Sequence, residues 1–273
     1  MNDVRKTIPQ SPGRLSGGAS QQAPDGGNGH HPRPAEASDS GPVGTTDKRR
    51  ERHDKKRQSY LDEAMGVVVE DGMEGLTIAR LASRMNASVG AIYRYFPSKE
   101  ALIVGLQEMA IADFHTFLET RLAATDRLLE GVTSPVRALG RLMVAFRAYI
   151  DHARASPRPH RLVDTFLSFP EAILSDSEAR AVNDRLLTPI LDSFAALLAE
   201  ASAVGAIEPA DDVQRTHVAW AFAHGLDHFH KRDRISPEPL KLEALLPIAR
   251  TALLRGFGAR TELLAQAEKL VAP

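Results

Sequence analysis

Leu76 to Lys99, LTIARLASRMNASVGAIYRYFPSK, is the stretch whose reading decides the fold. Thr77 is a good N-cap, and Ile78, Leu81, Ala82 and Met85 follow it at helical spacing. Asn86 stands where this helix must stop, because Asn tolerates the left-handed conformation that ends helices. Ser88 caps a second helix, expected to run through Phe96. Pro97 ends it by pushing the preceding residue out of the helical region. Ser98 then caps a third helix that starts with Lys99 and Glu100. Two short helices across a tight turn, with a third following at once, read as a helix-turn-helix over residues 77–96.

The second of these helices has two unlike faces. Ile92 and Phe96 lie four apart and should pack inward, leaving Val89, Gly90, Ala91, Tyr93, Arg94 and Tyr95 outside. Small residues, tyrosines and one arginine make an odd face for solvent. They suit a helix pressed into the DNA major groove, where small side chains allow close approach and tyrosine hydroxyls reach phosphate oxygens.

The set Thr77, Leu81-Ala82, Gly90-Ala91-Ile92-Tyr93 and Phe96-Pro97-Ser98-Lys99-Glu100-Ala101-Leu102 resembles the DNA-binding domain of the tetracycline-repressor (TetR) family, in register over about residues 55–105. One departure is Asn86-Ala87, where that family usually carries a glycine and a valine at the turn. Asn adopts the glycine's backbone conformation at modest cost, and Ala shrinks one core contact. The resemblance implies that Tyr93 and Lys99 contact phosphates flanking the groove, and that Val89, Gly90, Ala91 and Tyr95 face base edges. Thr77, Ser88 and Arg94 complete the expected DNA-contacting set.

Length and composition fit this reading. The chain has 273 residues, 43% hydrophobic and 25% charged, and a formal net charge of −1. The charge is unevenly spread. Lys and Arg against Asp and Glu number 4 and 5 in residues 1–47, 11 and 7 in residues 48–99, and 19 and 23 in residues 100–273. The positive excess sits where phosphate contact needs it. Cysteine is absent, which excludes disulfides, thiol catalysis and cysteine-ligated metals. No apolar run is expected to reach membrane-spanning length, and no membrane partner is expected. A cytoplasmic, nucleoid-associated location follows.

Residues 1–47 are rich in Gly, Pro, Ser, Gln and Asp and read as a disordered tail, with His30-His31 as polar filler. The run KRRERHDKKR, Lys48–Arg57, is either a basic arm lying along DNA or the solvated start of helix one. Helix one is expected from about Arg52 to Glu70, with Leu61, Ala64, Met65 and Val68 inward and Gly72 as its stop. Helix four is expected from Ser98 to about Leu122, and in the family it links head to body. Helices continue from Ser134 with no strand pattern, including one over about 177–201 kinked at Pro189. The fold class is therefore all-α. A helix-turn-helix head over 48–105 precedes a helical dimerisation and ligand-binding body over 106–273.

In the body, Phe146, Phe166, Phe169, Phe194, Trp220 and His224 fall on helices that in this family surround a ligand cavity. His224 and His228 lie four apart, with Asp227 adjacent and His217 two turns earlier. This is metal-compatible spacing, but no HExxH pattern or acidic third ligand is evident. Core or interface histidines are the favoured reading, with no metal and no cofactor expected. The last two long helices are Ala- and Leu-rich candidates for a homodimer interface. Two heads one helical turn of DNA apart, roughly 34 Å, would read a palindrome. The expected function is a DNA-binding regulator, a ligand-responsive repressor acting on a palindromic operator in answer to a small-molecule effector. The alternative is a ligand-independent architectural DNA binder. No nucleophile–base pair, phosphate loop or metal set points to an enzyme.

Overall fold

A computed structural model describes residues 43–168 and 175–271, with the side chains of 43–46, 165–168 and 178 outside that description. The described residues are helical, with no strand among them. In chain order the helices are α1 (Val43–Gly75), α2 (Ile78–Arg84), α3 (Val89–Tyr93), α4 (Lys99–Leu128), α5 (Ser134–Ala155) and α6 (Pro157–Ser168). Then come α7 (Asp176–Val182), α8 (Thr188–Ala203), α9 (Asp212–Phe229), α10 (Leu242–Gly256) and α11 (Thr261–Val271). Residues 46–273 form one compact unit.

The local signals around the turn act as expected. The Thr77 side chain accepts from Arg80 N–H, Ser88 from Ala91 N–H, and Ser98 from Ala101 N–H. Each satisfies an amide that its helix start leaves without a partner. Asn86 sits at φ 47°, in the left-handed region. Gly72, at φ 73°, breaks α1 near its end, where a side chain would be strained. Helix α3 is shorter than expected: it stops at Tyr93, and Phe96 N–H still reaches Ile92 C=O at 3.0 Å. The basic run Lys48–Arg57 belongs to α1, and Lys48 to Lys56 are exposed along it.

Two apolar cores follow. The first buries Leu61, Ala64 and Val68 of α1, Leu81 of α2, Ile92, Phe96, and Leu102 and Leu106 of α4. Leu162 of α6 and Val182 of α7 are buried in the same cluster, so body helices help seal the head. The second core gathers Leu118 and Leu122 of α4, Leu139 and Met143 of α5, Leu198 of α8, Leu254 of α10 and Leu264 of α11. A smaller cluster, Phe146, Ile150, Ala223, Leu242 and Leu246, joins α5, α9 and α10.

Other boundaries also differ from the sequence expectation: α1 runs from Val43 to Gly75 rather than from about Arg52 to Glu70. Helix α4 continues to Leu128, six residues beyond Leu122. Helix α6 starts at Pro157 rather than at His160, where the sequence predicts a short helix to Phe169, since the first helical turn needs no amide donor from proline. The expected kink at Pro189 is realised as a π-helical turn, Asn183–Leu187, that absorbs the proline just upstream. The membrane expectation is also corrected: Lys99–Leu128 and Ala179–Ala203 are long and apolar enough, by length and composition alone, to cross a membrane. Both pack into the cores above, and both carry paired carboxylates, Glu108 with Arg57 and Glu200 with Arg141.

One buried histidine pairs with an exposed carboxylate. His152 of α5 is 3% exposed, and its Nε2 lies 2.8 Å from Asp113 Oδ2 of α4. Burial lowers the His152 pKa from its ordinary 6.5, against the pull of the Asp113 carboxylate. Two outcomes are expected. Phe96→Ala should cost about 3–5 kcal/mol in urea unfolding, while exposed Tyr93→Ala should stay within about 0.5 kcal/mol. A histidine whose folded pKa is depressed contributes stability above its unfolded pKa and loses it as pH falls through the folded one. The urea midpoint should therefore drop as pH falls below 6.5, and less steeply in His152→Gln.

Candidate nucleic-acid interface and effector cavity

Ile92 and Phe96 anchor α3 in the head core, and this fixes which side chains remain outside. Ser88, Val89, Gly90, Tyr93 and Arg94 are exposed, and Ala91 is half-buried. Val89 and Tyr93 keep 43% and 47% of their surface, large values for apolar and aromatic groups on so short a helix. A Cβ placed on Gly90 would meet nothing within 4 Å, so the protein's own packing does not require glycine there. The absent side chain leaves the backbone open to close approach from outside. Thr77 is exposed at the start of α2, and Lys99 is half-buried at the start of α4. Among the described residues neither Arg94 nor Lys99 carries an ion pair.

Other arginines are committed internally. Arg84 pairs with Glu63 and Glu70 of α1, and these two carboxylates raise its pKa. Arg80 pairs with Asp71. These bridges hold α2 against α1, while Lys48 to Lys56 stay exposed along α1.

Tyr95 is placed differently from the sequence expectation. It is half-buried, stacked on His53 with ring centroids 4.6 Å apart and edge-on to Tyr60 at 5.1 Å. Helix α3 has ended by then, so the helical wheel that put Tyr95 outside no longer applies. The structure therefore leaves Thr77, Ser88, Val89, Gly90, Tyr93 and Arg94 exposed, with Ala91 and Lys99 half-buried, and turns Tyr95 toward α1.

The body holds a cavity of about 100 Å³ between α4, α5, α6, α8, α9 and α10. Its wall is mostly apolar, including Phe114, Phe146, Phe194, Trp220, Ile190 and Leu253. Phe114 of α4 stacks on Phe194 of α8 at 6.4 Å and meets Tyr149 edge-on at 5.9 Å. Of the expected cavity residues, Phe146, Phe194 and Trp220 line it. His224 instead lies behind Tyr149, its Nδ1 2.8 Å from the Tyr149 hydroxyl. The side chains of Phe166 and Phe169 lie outside the described residues, as do His30-His31 and the first 42 residues of the tail.

The sequence reading did not single out Phe114 or the polar lining groups Tyr149, His152, His160 and Arg250. Their only signal was helical periodicity, which does not separate a cavity wall from a core. Arg250 pairs with Glu268 through Nη2, while its Nε is buried with no partner. Burial pushes the Tyr149 hydroxyl pKa up, so it stays neutral and able to donate.

Behind the wall, α6 and α9 face each other with acid–imidazole pairs. His160 Nε2 lies 3.0 Å from Asp227 Oδ2, and His228 Nε2 lies 2.8 Å from Asp164 Oδ1. Burial opposes ionisation of Asp227, yet the His160 hydrogen bond and the neighbouring His230 and His228 hold its carboxyl below the usual range. Burial, followed by His228, lowers the pKa of His224.

The sequence profile described as "Bacterial regulatory proteins, tetR family" matches residues 61–106. The nucleoid occlusion factor SlmA of Haemophilus influenzae (strain PittGG) is 34% identical over 106 residues, 38% of this chain and 44% of that protein. The chain thus spans less than half the length of the SlmA relatives it matches there. The HTH-type transcriptional regulator HbdR of Aromatoleum sp. (strain CIB) is 24% identical over 222 residues, 80% of this chain and 90% of that protein. The solved structure of the transcriptional regulator FadR from Bacillus subtilis, in complex with stearoyl-CoA, shares the fold at a TM-score of 0.54 and 17% identity. It covers 73% of this chain and 98% of that one. Residues 61–106 thus carry the helix-turn-helix segment of the tetR family of bacterial regulatory proteins, and the fold along the rest of the chain is one that the FadR structure shares.

Proposed function

We propose that the protein is a ligand-responsive transcriptional repressor that binds a palindromic operator as a homodimer in the cytoplasm, at the nucleoid. The observation that carries this reading is α4. Its first residue is Lys99 at the candidate DNA face, and Ala110, Ile111 and Phe114 of the same helix line the cavity. A molecule that displaces Phe114 acts on the rod that ends at the DNA contact, some 15 residues or about 22 Å away. A ligand that prefers one head separation lowers operator affinity by its differential binding energy.

The lining supports an effector class. It is an apolar, acyl-like molecule with one polar or anionic head, for which the wall offers the unpartnered Arg250 Nε beside Tyr149, bonded to His224, and His152, bonded to Asp113. The stearoyl-CoA complex of the FadR structure supports the same class.

Dimerisation through α9 and α10 is supported by the apolar groups those helices leave outside. Val218, Phe222 and Ile248 keep 55%, 38% and 66% of their surface, and Ala221, Gly225 and Phe229 continue the α9 stripe at helical spacing. The SlmA likeness supports a second reading, a DNA binder acting without a ligand. The cavity weighs against it. Nothing in the site favours an enzyme over a regulator.

Fluorescence anisotropy with DNA from upstream of its own gene, against a scrambled duplex, tests the function. Specific binding at two or more chains per site is expected, and equal affinity for both duplexes would overturn the operator reading. Lys99→Ala should weaken binding and reduce the salt slope by about one per head, while Tyr95→Phe should leave the slope unchanged. Phe222→Asp with Ile248→Asp should give a folded monomer in sedimentation velocity and abolish tight operator binding. A dimer that persists would remove α9 and α10 as the interface.

A further inference from the structure

We propose that Asp164, His224 and His228 form a binding site for a divalent transition-metal ion of the zinc class. Their ligand atoms all lie within 4.8 Å of one another, and the three side chains are neither fully buried nor fully exposed. Asp164 Oδ1 is 3.5 Å from His224 Nε2 and 2.8 Å from His228 Nε2. A tetrahedral ion bound at about 2.0–2.1 Å needs neighbouring ligands a little over 3 Å apart. Small side-chain rotations bring this set to that spacing. Two imidazoles and one carboxylate are a common zinc donor set, and they leave a fourth position for water or another ligand.

The surroundings separate this cluster from ordinary ion pairs. His224 and His228 lie one turn apart on α9, and both turn Nε2 to a single carboxylate on α6. Asp227, the acid adjacent in sequence, is engaged elsewhere, bonded to His160. The Tyr149 hydroxyl holds His224 Nδ1 at 2.8 Å, the outer partner that fixes a metal-bound imidazole with Nε2 turned toward the ion. Lys231 Nζ lies 3.2 Å from His228 Nδ1. A lysine donating there favours the tautomer with its proton on Nε2, so Lys231 opposes the ion and must swing away when one binds. The ion would fasten α6 to α9 directly behind the cavity wall formed by His160, Tyr149 and Trp220. This inference does not rest on the DNA reading.

The test uses the full chain, stripped with a chelator and desalted. It is titrated with Co2+ for its d–d absorption and with Zn2+ against a chromophoric chelator. One equivalent should bind. Asp164→Asn and His228→Gln should each weaken Zn2+ at least about 10-fold, with helical content unchanged by circular dichroism. Lys231→Met should strengthen binding. His217→Ala, exposed on the same helix, should leave it unaltered, and so should His30→Ala with His31→Ala in the tail. Zn2+ affinity unchanged in Asp164→Asn and His228→Gln would overturn the site, as would binding that vanishes with the tail histidines. An unsubstituted chain that binds neither Co2+ nor Zn2+ while operator binding is intact would overturn this inference alone.

Discussion

Leu102 and Leu106 are buried in the head core, and Leu118 and Leu122, a few turns along the same helix, are buried in the body core. That double burial of α4 is the constraint on which the rest depends. An α-helix is stiff over 30 residues, so neither end can move without disturbing apolar packing at the other. Packed cores of this kind shift between discrete arrangements rather than deforming smoothly. A cavity beside Phe114 therefore has a mechanical route to Lys99 that a flexible linker would not offer.

Charge reinforces the same connection. Glu108, a third of the way along α4, accepts from Arg57 of α1 at 3.0 Å and from Arg185 of the π-helical turn at 2.6 Å. One carboxylate thus joins a head helix, the connecting helix and the segment leading into α8. Each of these half-exposed pairs alone is worth little, about 0–1 kcal/mol. Their value lies in register: they fix how α1 and the body meet α4, while Arg84 with Glu63 and Glu70 fixes how α2 meets α1.

The body spends its polar groups differently. Between α6 and α9 each acid meets imidazoles, Asp227 with His160 and Asp164 with His228 and His224. Buried polar groups of this kind are costly unless satisfied. Their concentration behind a mostly apolar cavity wall sets a polar seam beside the binding space. The proposed metal site and effector cavity share Tyr149, which lines the cavity and bonds His224.

The sequence by itself determined the helix-turn-helix, its caps and its turn. Thr77, Ser88, Ser98, Asn86 and Pro97 act on partners no more than four residues away, and such effects survive without knowledge of the fold. It also determined the all-α class and which faces of α1 and α3 turn inward, because helical period alone fixes them. Tertiary structure decided what depends on how helices cross. Tyr95 turned inward because α3 ended early and His53 and Tyr60 of α1 were there to receive it. The cavity walls needed six helices to be placed before Phe114 could be told from core. Asp164 lies 60 residues before His224, and only the packing of α6 on α9 made it the acidic third ligand that the histidine spacing lacked. Periodicity records which face of a helix is buried, but the crossing angle that selects its partners is set by the whole packed chain.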